Sequence, residues 1–290
     1  MASILPQFLS VVILGIGLIN TAVVEAGNPK PRMGLSPARF EFEWAGVPIN
    51  DSLAVLNMSN SSLGVEVSIR TWDLDDKNNT RLLPPSETSL DRAFIINPRY
   101  FTIPPGSQQS LRFSIRPKEP LIDGEHRAMI FVKELPADQE ESAPDVGVRF
   151  NYGLPVYVHS GPVSKTGVLH SISIGSNAAS STPVLFDFSS TGSSYSRLKG
   201  QIVAWPIDSF PGEAVALDVL EDIKSRNNTS AAADINYTQL PAIPVLPGTR
   251  RTIEVHAGDI ERGVSYMVLV AGSIGDVTFE KFLTLDSDNE

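Results

Sequence analysis

Apolar and polar residues alternate with a period of two along most of this chain, the pattern of β-strands that bury one face. Phe40, Phe42 and Trp44 share one phase, and Arg39, Glu41 and Glu43 share the other. Val65, Val67 and Ile69 repeat the pattern, as do Leu111, Phe113 and Ile115 and the run over 129–135. Turn formers separate the runs: Pro84 and Pro85; Pro104, Pro105 and Gly106; Asp123 and Gly124. Proline fixes φ and glycine tolerates positive φ, so each group favours reversal of direction. Many short strands between such turns predict a β-sandwich with little helix.

After Pro136 a polar, acidic loop over 137–145 leads into a long alternating strand predicted over 146–158. Ser160, Gly161 and Pro162 end it, and the segment after them has no apolar period, which places a domain boundary there. Further strands are predicted over 169–174, 184–188, 198–205, 215–220, 251–255, 266–270 and 277–285. The chain is thus expected to be all-β, with two sandwich domains in tandem over 27–160 and 161–290. Its 290 residues suffice for two separate cores.

Composition narrows the setting. Residues 8–19 form an apolar run, and Val24, Glu25 and Ala26 offer small residues where a signal peptidase cuts, so residues 1–26 are expected to be a cleaved signal peptide. The run is shorter than the ~20 residues needed to span a bilayer. There is no cysteine, which removes disulfides, thiolate nucleophiles and cysteine-based metal sites. An exported sandwich without a disulfide suits a bacterial periplasm better than a eukaryotic secretory route. N-x-[ST] triplets at Asn50, Asn57, Asn60, Asn78, Asn227 and Asn236 point the other way, but chance explains them in a chain rich in Asn and Ser. A formal net charge of -10 leaves no basic surplus for phosphates, so nucleic acid is not an expected partner.

The catalytic and metal motifs are weak. Ser196 to Lys199 matches S-x-x-K and Lys165 to Gly167 matches K-T-G, but their order is the reverse of that in penicillin-recognising serine enzymes, and both lie near strand ends. His126, His159, His170 and His256 lack metal-binding spacing. Asp73, Asp75 and Asp76 cluster without a calcium-loop pattern and read as a solvated strand end. No enzyme activity, cofactor, metal or small-molecule substrate is expected.

Several segments resemble, in order and spacing, the periplasmic chaperones of chaperone–usher pilus assembly. Leu35 to Arg39 resembles that family's opening strand and Leu56 to Asn60 its second. Phe94 to Pro98, then Ile103 to Gly106 and Gln109 to Arg112, resemble its central signature. Asp123 to Arg127 and Phe131 to Pro136 resemble the segment that closes its first domain. The resemblance implies two immunoglobulin-like sandwiches and a non-catalytic periplasmic role. The implied partners are a pilus or surface-fibre subunit, held by donor-strand complementation, and an outer-membrane usher. It also implies a subunit-binding site of Arg39, which would hold the subunit's C-terminal carboxylate, with Val146, Val148, Phe150 and Tyr152 filling the subunit's groove. Two readings stay open: the four apolar residues could pack their own domain's core, and Arg39 could be an ordinary edge-strand arginine. The chain departs from the family where Gly124 replaces a frequent arginine and where no lysine stands on the donor strand. A two-domain secreted adhesion or structural protein is the alternative reading.

Overall fold

The computed structural model describes residues 32–286 except 76–77, 87–88, 137–148, 176–182, 227–234, 259 and 262. The segment 1–26 and residues Val146 and Val148 therefore lie outside the described residues.

The first sandwich contains β1 (Met33–Ser36), β2 (Phe40–Trp44), β3 (Ile49–Asn57), β4 (Leu63–Leu74), β5 (Thr80–Leu83), β6 (Phe94–Asn97), β7 (Tyr100–Ile103), β8 (Gln108–Ile115), β9 (Gly124–Glu134) and β10 (Asn151–Ser160). One sheet runs β1-β3-β8-β6; the other runs β2-β10-β9-β4-β5, with β7 also on β4. The alternation seen in the sequence sets the inward faces: Leu53 and Val55 of β3, Val65 and Val67 of β4, and Leu111, Phe113 and Ile115 of β8 meet in one core. Phe113 lies at its centre, edge-on to Phe40 at 4.9 Å between centroids. Asn57 is wholly buried and acts as a polar pin. Its amide nitrogen donates to the carbonyls of Ser61, Ile103 and Pro104, and its oxygen accepts from the backbone N–H of Ser59. Buried backbone carbonyls beyond the ladders are thereby satisfied.

The second sandwich contains β11 (Gly167–Ile174), β12 (Pro183–Ser190), β13 (Ser196–Pro206), the helix α1 (Glu213–Arg226), β14 (Asn236–Gln239), β15 (Pro244–Val245), β16 (Arg250–His256), β17 (Tyr266–Ile274) and β18 (Val277–Leu285). Its sheets run β11-β12-β16 and β14-β13-β17-β18, with β15 also on β13. Phe186, Phe188, Leu198, Ile202, Val268 and Val270 fill the core between them. The strand predicted over 215–220 is instead part of α1, which is a correction to the sequence reading. Ala216, Leu220 and Ile223 recur at helical spacing and bury one face against Val203, Trp205, Leu269 and Ala271. The short window read as alternation, since Val215, Leu217 and Val219 also fit a period of two. No helix among the described residues is long and apolar enough to cross a membrane.

Candidate functional site

The site is built where β2 meets β10. β2 pairs in parallel with the second half of β10, from Phe40 opposite Val156 to Trp44 opposite Ser160. The whole of β10 pairs with β9 on its other side, from Asn151 opposite Lys133 to Ser160 opposite Gly124. Among the described residues, Asn151 to Pro155 therefore have a ladder partner on the β9 side alone. The backbone N–H of Glu134 donates to the carbonyl of Phe150 at 3.0 Å, which fixes the phase of the ladder. Alternation then turns the backbone groups of Asn151, Gly153 and Pro155 away from β9, toward the bare edge. Pro155 fits there, because its missing N–H costs no bond in the ladder with β9.

The structure places the expected site residues unequally. Tyr152 is half-buried and packs against the core of the first sandwich, and Phe150 stacks on it at 5.8 Å between centroids. Phe150 precedes the described strand, which begins at Asn151, and the predicted start at 146 lies outside the described residues. Its position is held by Glu134, whose carboxylate lies 3.5 Å from the Phe150 nitrogen and pairs with Arg32 at 3.0 Å. Arg39 sits immediately before Phe40, at the corner where the bare edge ends. Its side chain is 51% exposed, and its Nε donates to Glu41 at 2.6 Å. That bond to Glu41 raises the Arg39 pKa. Burial pushes the Glu41 carboxyl up, but the Tyr195 hydroxyl and the Arg39 guanidinium directed toward it hold it below the usual carboxylate value.

Tyr195 belongs to the second sandwich, so this corner lies at a junction. Trp72, Leu74, Met129 and Tyr157 of the first sandwich pack with Tyr195 and Leu246 of the second. Tyr157 and Tyr195 lie 4.4 Å apart between centroids, and burial raises the pKa of both phenols. Lys165 lies over the Tyr195 ring at 5.1 Å, and Arg197 over the same ring at 4.6 Å and over Tyr157 at 5.8 Å. Behind the rings Glu125, with a wholly buried side chain, accepts from Arg127 at 2.9 Å, from Ser194 Oγ at 3.0 Å and from the Tyr195 N–H at 2.8 Å. Ser194 Oγ also lies 3.0 Å from His159 Nε2, and His159 Nδ1 lies 3.4 Å from Glu43. That arrangement has the outline of a serine triad, yet Ser194 is completely buried and offers no approach to a substrate.

The other motifs have structural roles. Ser196, of the S-x-x-K match, is buried on β13 and donates to the Lys165 carbonyl at 3.2 Å. Asp73 pairs with Arg81 across β4 and β5, and Asp75 accepts from the Asn79 backbone N–H. Asp76 lies outside the described residues. Sequence reasoning missed Glu41 and Tyr195 beside Arg39, Arg197 facing Glu41, and Lys165 over the Tyr195 ring. Glu41 carried a signal, since it stands two residues from Arg39 on the same face of a strand. The other three are brought there by packing alone.

These features define a protein of two immunoglobulin-like β-sandwiches, with a bare strand edge leading to a cationic corner between them. Over residues 47–159 the chain matches the family described as pili and flagellar-assembly chaperone, PapD N-terminal domain. It is a family of assembly chaperones rather than enzymes. Similar solved structures include a chain of the CsuC–CsuE chaperone–tip adhesion subunit complex from Acinetobacter baumannii, at 14% identity and TM-score 0.43, covering 87% of this chain and 97% of that one. A chain of the Salmonella enterica SafA pilin–SafB chaperone complex is 14% identical at TM-score 0.41, covering 89% and 98%. The E. coli chaperone DraB is 14% identical at TM-score 0.40, covering 86% and 97%. No curated protein sequence matches the chain.

Proposed function

We propose that this protein is a periplasmic chaperone that captures pilus or surface-fibre subunits by donor-strand complementation and passes them to an outer-membrane usher. The observation that carries the reading is the edge of β10 at Asn151 to Pro155, which has no second ladder partner among the described residues and ends at Arg39. A subunit strand laid in line with β2 and parallel to β10, as β2 is, would bring its C-terminal end against Arg39. The N–H groups of Asn151 and Gly153 and the carbonyls of Asn151, Gly153 and Pro155 would form its ladder. Its terminal carboxylate would meet a forked, permanently charged guanidinium. In this reading Phe150 and Tyr152, with Val146 and Val148 before them, supply the apolar side chains for the subunit's groove, and Tyr152 also packs its own core. The domains run over 27–160 and 161–290, and residues 1–26 direct export.

The test is co-expression with candidate secreted subunits and co-purification from periplasm. Phe150→Asp should abolish capture, because it places a charge where an apolar ring is buried, a cost of several kcal/mol (~2–7). Arg39→Ala should weaken capture at least tenfold, about one charged hydrogen bond. If both variants keep wild-type melting and still retain their subunit, the reading is wrong, and an adhesion or structural role replaces it.

A further inference from the structure

Gly153 lies in the middle of the stretch of β10 that, among the described residues, has a ladder partner on the β9 side alone. Its φ is outside the left-handed region, so conformation does not demand glycine there. Space demands it, because a β-carbon at this position would lie 2.5 Å from Met129 Sδ and 3.2 Å from Phe131 Cε1. Phe131 stands directly opposite Gly153 on β9, with Ser68 of β4 on its other side, and Met129 stands opposite Pro155. Both β9 side chains therefore lean across the outer face of the sheet and over β10, toward the edge that β2 does not cover. They end there unequally: Met129 is buried, whereas Phe131 is half-buried and Gly153 is exposed. Behind them the apolar surface continues into the junction cluster of Trp72, Tyr157 and Tyr195.

We infer that Phe131, backed by Met129, is a second recognition surface for the captured strand, on the outer face of the sheet, and that it selects a large apolar side chain at the residue paired with Gly153. The inference rests on the proposed chaperone reading and names the kind of strand it takes. A strand added to β10 would lie about 4.8 Å beyond it. Residues paired across a ladder share a face, so the residue opposite Gly153 would project outward, over the glycine, against the Phe131 ring. No β10 side chain stands between them. That contact would also shield the exposed backbone of Gly153, as large side chains on neighbouring strands do for glycines at sheet edges. At the flanking outward positions the strand would meet Asn151, which is polar and exposed, and Pro155. Selection is thus confined to one residue: the captured strand is apolar on the inner face, in phase with Tyr152, and at a single outer position.

The probe is a fluorescein-labelled decapeptide of alternating valine and threonine, with a set of variants in which one threonine at a time is replaced by leucine. Binding to the full chain is read by fluorescence anisotropy. On wild type at least one leucine peptide should bind about five- to tenfold more tightly than the parent, the factor for part of one apolar side chain leaving water. Phe131→Ser should erase that gain and leave the parent's affinity largely unchanged. Phe131→Tyr, which keeps the ring, should retain the gain. Gly153→Ala displaces Met129 and Phe131 and should reduce it, so the contact is tested even if Phe131→Ser lowers the melting temperature. A gain that survives in both Phe131→Ser and Gly153→Ala would overturn the outer-face site and leave the chaperone reading standing. A wild type that binds the parent but gains from leucine at no position would do the same. A wild type that binds no peptide of the set would overturn both.

Discussion

At the scale of single residues, the polar groups with several partners matter most. Asn57 holds four partners from a fully buried position, so Asn57→Ala strands the carbonyls of Ile103 and Pro104. The expected loss is about 1–3 kcal/mol, read as a lower urea midpoint with an unchanged slope. A normal midpoint would show that water replaces the amide without cost. Asp187 and Arg250 form a two-bond pair at 2.9 and 2.6 Å on the surface of the second sandwich. Its hydrogen bonds from Arg250 hold the Asp187 carboxyl below its ordinary 3.8. A depressed folded-state value stabilises the protein above 3.8, and that gain is lost as pH falls through the folded value. The pair is screened by solvent, so the effect is small. Any midpoint advantage of wild type over Asp187→Asn should be present at neutral pH and gone in strong acid; an advantage that grew with acidity would contradict the assigned pairing.

Among the elements, α1 and β10 depart most from what the sequence suggests. Helix propensity in 213–226 is ordinary, and Val215, Leu217 and Val219 imitate a strand. The helix is chosen because Ala216, Leu220 and Ile223 find an apolar surface made by β13 and β17. Leu220→Ala should therefore cost about 2–5 kcal/mol, as for other buried leucines, and should reduce the helical component of the circular dichroism spectrum first. An unchanged melting temperature would mean that α1 contributes little to the second core. In β10 the sequence gives the right phase, with Leu154, Val156 and Val158 all in the core. It could not give the partners, because among the described residues the uncovered part of β10 is set by how far β2 runs along it, from Val156 to Ser160.

For the whole molecule, the question is how far the sandwiches act as one body. Besides the aromatic junction, Arg251 of β16 donates to the Leu74 carbonyl of β4 at 2.6 Å. Leu246 is fully buried among Trp72, Tyr157 and Tyr195. Placing a carboxylate there, as Leu246→Asp, should uncouple the two cores. Urea unfolding would then separate into two transitions where wild type shows one. A single transition in the variant would mean that the cores unfold together for reasons outside this junction.

The sequence by itself determined the all-β character of the chain, the inward phase of most strands, and the candidacy of Arg39, Phe150 and Tyr152. Period-two alternation reports directly which face of a strand is buried, and the family resemblance marks which strand and arginine to watch. Tertiary structure decided the rest. Tyr195 and Arg197 are distant from Arg39 in sequence, and only the docking of the second sandwich brings that phenol and that guanidinium to the Arg39–Glu41 pair. The fold of 215–220 was likewise undecided locally, since six residues fit both periods and the surrounding core chose between them. Sequence encodes which face each strand turns inward; which edge stays bare, and which charges share one corner, follow from how the sheets close and pack.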